Sequence, residues 1–353
     1  MGTEGASTHE TVVTGTGAMS LTYAPEGPAT PRDEFRSLVE RLSRQSVEKH
    51  FDAYADVDWD AAEMAIDASD PRWELIDFDP LAHTSWYRAQ PPQVRARLGL
   101  HRVAVTMRTG WEFENLLQRG LLSHAFWMPN GRAEFRYVHH EVVEESQHTL
   151  MFQEFVDRAA DRAGLRVGGM PWRMKLGAEL LVLPLARVDP ALFFFFVLGG
   201  EDPIDQVQRR RLRAGIAHPL LERIIRIHVT EEARHLSFAR RTLERMVAAM
   251  PRWRRATLSV AVPLVLGVMV RLMLATPRAF AKEHGIPRAV VREATRGLAH
   301  RSLLSDSVRK IRRLCASAGL VNPVSVVLWR AVGLWGPVDP ADRERASGAP
   351  ETR

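Results

Sequence analysis

The chain has a single cysteine, Cys315, in 353 residues, which excludes an intrachain disulfide and any thiolate-rich metal site. A lone thiol fits a reducing compartment, so a cytoplasmic location is expected. Lysine is scarce too, and a large excess of arginine sets the formal charge of +6 and a pI near 9.9. Those arginines are scattered and no groove-reading motif accompanies them, so nucleic acid is not an expected partner. No apolar run of bilayer length is uninterrupted. Residues 256–276 come nearest, but Pro263, Gly267 and Arg271 break the run, and a helix covering the core is expected there rather than a membrane span. Residues 1–30, rich in Gly, Thr, Ser and Pro, lack the apolar core of a signal peptide and read as a disordered tail, as does the polar stretch 337–353. One domain is expected between them, over residues 31–336.

What the sequence does contain is a repeat. Glu144-Glu145-Ser-Gln-His148 and Glu231-Glu232-Ala-Arg-His235 share the pattern Glu-Glu-x-x-His, and each has another glutamate, Glu114 or Glu201, 31 residues before the Glu of its Glu-x-x-His. Residues three or four apart share one face of an α-helix, so Glu145 with His148, and Glu232 with His235, present two donors side by side. Two helices each giving Glu, and two each giving Glu-x-x-His, form the ligand set of a carboxylate-bridged two-metal centre in a four-helix bundle. An interval of 31 residues leaves room for the rest of one helix, a turn and the return of an antiparallel partner. The expected class is therefore all-α, a ferritin-like four-helix bundle with additional flanking helices.

The second copy carries one more donor. His228 lies four residues before Glu232 and seven before His235, so three donors share a stripe. Superposing the copies puts Glu141 where His228 stands, which predicts two inequivalent metal positions. A single Glu-x-x-His is a weak pattern, whereas two copies with equally spaced upstream glutamates in apolar helices bury more acid than a fold tolerates without cations. Glu112 competes with Glu114, which is preferred because it preserves the repeat. Glu144 and Glu231 are placed to accept the remaining N–H of a ligand histidine, with Arg234 balancing their charge. His139 and His140 read as ordinary neighbours of the site.

The set Glu114, Glu145, His148, Glu201, His228, Glu232 and His235 resembles that of the p-aminobenzoate N-oxygenase family, ferritin-like di-iron enzymes that convert arylamines to nitroarenes. The resemblance spans roughly residues 80–320 and rests on these seven positions, above all on His228-x-x-x-Glu232-x-x-His235. It implies two iron ions as cofactor, with manganese in place of one left open. It also implies O2, an external electron donor and a small aromatic amine as partners, with oxidation through hydroxylamine and nitroso stages. A carbon hydroxylase or desaturase, a metal-dependent hydrolase and a non-enzymatic iron-binding protein use similar ligands and stay open as alternatives.

Helices are expected at 31–49, 94–124, 132–164, 190–214 and 220–250, with a further one at 172–183 and an irregular wrap at 51–92 holding Trp59, Trp73 and Trp86. Gly199-Gly200-Glu201-Asp202-Pro203 predicts local unwinding around Glu201. Phe193 to Phe196 read either as lining of a dry pocket or as core. The cluster Arg209-Arg210-Arg211-Leu-Arg213 reads as cations at a helix end, with docking of an acidic carrier protein as a second use. Arg309, Arg312 and Arg313 are candidates for meeting a substrate carboxylate, against the plainer reading of a solvated helix face. A homodimer is left open.

Overall fold

A computed structural model describes residues 30–274 and 276–336, so the tails expected at either end, Thr30 apart, lie outside the described residues. Among the described residues the regular structure is helical, without strands, as expected for an all-α ferritin-like chain. Helix α1 spans Pro31–Glu48, α2 Pro92–Phe126, α3 Ala133–Ala163, α4 Pro190–Ala214 and α5 Pro219–Ala248, each close to its expected bounds. α2 with α3, and α4 with α5, form two helical hairpins through short turns, and their faces meet to make the bundle. α1 lies against α3, and α6, Arg252–Leu274, lies against α4.

Local chemistry sets these boundaries. Thr30 and Asp33 form a reciprocal capping box at the start of α1. Asp189 accepts the Leu192 N–H at the start of α4, with Pro190 in the first turn, where its missing N–H costs nothing. Gly164 and Gly215 end α3 and α4 in the left-handed region, at φ 59° and 67°. The 51–92 segment is a chain of turns and short 3-10 helices laid over the bundle, anchored by buried Trp59 and Trp73. The helix expected at 172–183 is regular only over Trp172–Gly177 and continues as a π-helical turn over Ala178–Val182.

The expected unwinding at Glu201 does not occur, and α4 runs unbroken through Gly199, Gly200 and Pro203. The reason is packing. A Cβ at Gly200 would collide with the Phe113 ring, and one at Gly199 would press on Leu266 and Met269. The glycines thus let neighbouring helices close on α4, and that burial outweighs the roughly 3 kcal/mol a helical proline costs. Gly200→Ala is accordingly expected to destabilise the fold by about 1–3 kcal/mol, read as a lower urea midpoint at unchanged slope. An unshifted midpoint would show that Phe113 moves freely.

Phe193, Phe194 and Phe195 are fully buried in the core, with Phe194 against Phe238 and Phe196 against Phe113. They are core side chains. α6 covers α4 with Leu258, Val262, Leu266 and Val270, while Val260, Leu264, Val268 and Leu272 face outward. By length and composition the stretch Arg252–Glu283 is apolar enough to cross a membrane, yet 59% of its most apolar window is buried within the protein.

Candidate metal centre

Glu114 sits midway along α2, Glu145 and His148 on α3, Glu201 on α4, and His228, Glu232 and His235 on α5. All seven are buried, none more than 3% exposed. Their ligand atoms fall into three overlapping groups in which every atom lies within 4.8 Å of the others: Glu114, His148 and His228; Glu145, His148 and Glu232; Glu201, His228 and Glu232. His235 joins through Nδ1, 2.8 Å from Glu145 Oε1 and 3.3 Å from Glu232 Oε2. The 31-residue repeat thus closes in space, with Glu145 and Glu232 facing each other between the two hairpins. Glu112 is elsewhere, paired with Arg108 and 4.0 Å from Lys175.

A surrounding layer orients the imidazoles. His148 Nε2 lies 2.8 Å from Glu231 Oε2, and His235 Nε2 lies 2.7 Å from Glu144 Oε2, so each Glu accepts a ring N–H from the opposite copy of the motif. This leaves Nδ1 of both rings facing the centre, the arrangement that carboxylate–histidine–metal pairs require. Arg234 bonds Glu144 at 2.8 Å and lies 3.5 Å from Glu231, and so links the two outer carboxylates. Contacts with no signature in the sequence complete the layer: the Phe51 N–H donates to Glu231 at 3.1 Å, and the Thr149 hydroxyl to Glu114 at 3.2 Å. His139 is exposed and tilted against Phe135, and His140 is half-buried, neither in the ligand groups.

The donor set fits a pair of divalent cations. Glu201 Oε1 and Glu232 Oε1 are buried without a hydrogen-bond partner, as is His228 Nδ1. Burial pushes the Glu114 and Glu201 carboxyls well above the usual range, helped in each case by neighbouring glutamates. Burial works against charge on His148 and His235 too, but Glu145 and the outer carboxylates hold both imidazoles well above the ordinary histidine value. Without metal, protons therefore occupy the positions between these groups. Oxygen and imidazole donors together suit first-row transition metals such as iron.

Metal uptake must displace those protons, so apparent affinity rises with pH. The expected gain is on the order of tenfold per pH unit for each proton released. Competition titrations of ferrous ion between pH 6 and 8, with proton release followed in weak buffer, check this. A pH-independent affinity without released protons contradicts the assignment.

A second feature lies further along the same helices. Ile225, one turn before His228 on α5, lines a cavity of about 80 Å³ together with Met107, Val103, Gln208, Arg211 and Met273. Arg211 is buried, and burial holds its guanidinium down to about 10. Among the described residues Arg211 has no ion-pair partner, since Asp79 in the same cavity wall pairs with Arg102: Arg211 Nη2 reaches the Arg72 carbonyl at 3.3 Å, while its Nε and the buried Gln208 Oε1 have no partner. The arginine cluster does not act as a unit at a helix end, since Arg209 pairs with Asp205 and Arg210 with Asp306 while Arg211 turns inward. Gln208 lies seven residues after Glu201 and Arg211 three further on, a helix-face spacing that sequence reasoning could have used. Arg309, Arg312 and Arg313 are not among the cavity residues. Arg309 pairs with Asp306, and buried Arg312 bonds the Ser305 and Leu334 carbonyls.

Comparison with known proteins agrees with this arrangement. Uncharacterized proteins of Mycobacterium bovis and Mycobacterium tuberculosis are each 40% identical to the chain over 299 residues, covering 84% of it and 86% of the relative. No solved structure matches. Residues 32–319 match the model of the family described as p-aminobenzoate N-oxygenase AurF, and the buried carboxylates and imidazoles that converge between the two hairpins lie within that span. The chain belongs to the p-aminobenzoate N-oxygenase family.

Proposed function

We propose that the protein is an O2-dependent di-iron oxygenase that oxidises the amino group of an aromatic amine bearing an acidic substituent, towards a nitro product. The observation that carries this reading is the buried set of four glutamates and three histidines, with His228 as the additional nitrogen donor. Iron bound there would supply O2 activation, with electrons from an external donor.

The remaining steps belong to the side chains. Glu114, Glu145, Glu201 and Glu232 would hold the ions together with His148, His228 and His235. Glu144 and Glu231 fix the tautomer and tilt of His235 and His148. Phe152, with ring centroids 5.2 Å from His228 and 6.4 Å from His148, keeps water from that flank. Arg211 and Gln208 would supply an anion-binding end to the cavity, Asp79 there being paired with Arg102, so that a bound arylamine would turn its nitrogen towards His228. Met107 and Met273 are the flexible side chains that would swing to admit an aromatic ring.

Iron-loaded protein, chemically reduced and mixed with O2 and a panel of arylamines, should form hydroxylamine, nitroso and nitro products detectable by mass spectrometry. Carboxylated amines should react faster than neutral ones. Ester cleavage under anaerobic conditions would move the site to hydrolysis. Iron uptake with no organic product would leave an iron-binding protein.

A further inference from the structure

The seven ligand positions do not account for every acid in the bundle core. Glu141, on α3, has no exposed surface, and neither of its oxygens has a hydrogen-bond partner among the described residues. A buried carboxylate in that condition is costly to the fold unless something else compensates it. Tyr137, one turn earlier on the same face, does not serve, because its own buried hydroxyl is also unpartnered. The charged groups that act on it are His235, Glu145, Glu232 and Glu144.

The repeat says what such a residue is for. Glu141 precedes Glu145 by four residues, as His228 precedes Glu232 by four. The two hairpins carry the repeat in the same order, so α3 of one corresponds to α5 of the other. Glu141 therefore stands to His235 as His228 stands to His148. The ring centroids of His228 and His148 are 4.6 Å apart, and His228 Nε2 lies 3.5 Å from Glu114, so on that side the position one turn before the bridging Glu faces the centre. On the other side the same position holds an unpaired carboxylate.

From this, and resting on the metal-centre reading above, we infer that Glu141 is an additional carboxylate ligand, serving the ion on the His235 side as His228 serves the other. One ion is thereby given an extra nitrogen and the other an extra oxygen, from a single sequence position in the repeat. Imidazole and carboxylate at matched positions make the two halves of the centre chemically unequal.

The test is titration of the metal-free protein with Co(II), whose ligand-field absorption reports coordination without any turnover. The wild type should take up two equivalents. Glu141→Leu should keep one site and weaken the other by roughly ten- to a hundredfold, with a changed spectrum for that ion. Glu141→Gln preserves volume and guards against a folding defect, and should show a smaller weakening. Glu141→His copies His228 and should restore two-ion binding with a spectrum shifted towards nitrogen coordination. Two equivalents bound by Glu141→Leu and Glu141→Gln with wild-type affinity and spectra would overturn the inference alone. A wild type that binds no metal would instead remove the centre itself.

Discussion

Arg211→Met is expected to yield a protein that is more stable and much less active on carboxylated arylamines. The guanidinium is buried, has no ion-pair partner among the described residues and leaves its Nε unpartnered, while Asp79 in the same cavity wall is paired with Arg102, so the folded state bears much of the cost of that charge. Methionine fills a similar volume without polar atoms and should raise stability by about 1–3 kcal/mol. A bound carboxylate would lose its charged partner, at about 2–5 kcal/mol, or roughly thirtyfold to a few thousandfold in kcat/KM. Neutral arylamines should lose little, so the ratio of the two substrate classes is the measurement. Equal losses on both classes would assign Arg211 to the architecture of the cavity. A drop in stability would mean that its hydrogen bond to the Arg72 carbonyl matters more than its charge.

Glu145→Gln should lower metal affinity by on the order of a hundredfold or more and abolish turnover, and since its carboxylate lies between two buried imidazoles, the metal-free fold should lose stability as well. Outer-layer partners alone are worth ten- to a hundredfold, and Glu145 is closer in. Its Oε2 lies 3.2 Å from His148 and its Oε1 2.8 Å from His235, so it touches both copies of the motif. Burial opposes its ionisation, yet His235 and His148 hold its carboxyl well below the usual range, and it is the acid best prepared to meet a cation. Glutamine keeps the volume and removes the second anionic oxygen. Glu112→Gln is the control: that residue, two before a ligand, belongs to the Arg108 and Lys175 contacts and should leave metal content at two per chain. Retention of both ions by Glu145→Gln, measured by metal analysis and optical titration, would exclude a bridging position.

Legible in the amino acids alone were the helical class, the bounds of the bundle helices within a few residues, and which carboxylates and imidazoles converge between the hairpins. Helix periodicity makes Glu-x-x-His a statement about one face of one helix, and equal 31-residue intervals make two such statements refer to one level of the bundle. The outer carboxylates Glu144 and Glu231 were legible for the same reason, since a residue adjacent to a ligand points to the neighbouring helix. Other features were decided only when the hairpins came together. Gly200 and Pro203 read as helix breakers because local propensity is all a sequence states, whereas the Phe113 ring in the gap makes the same residues a packing device. Arg211 and Glu141 look like any other charges in an arginine- and glutamate-rich chain. What sets them apart is the absence of a partner, a property of the atoms that surround a side chain and not of its neighbours along the backbone, so only the tertiary structure discloses it.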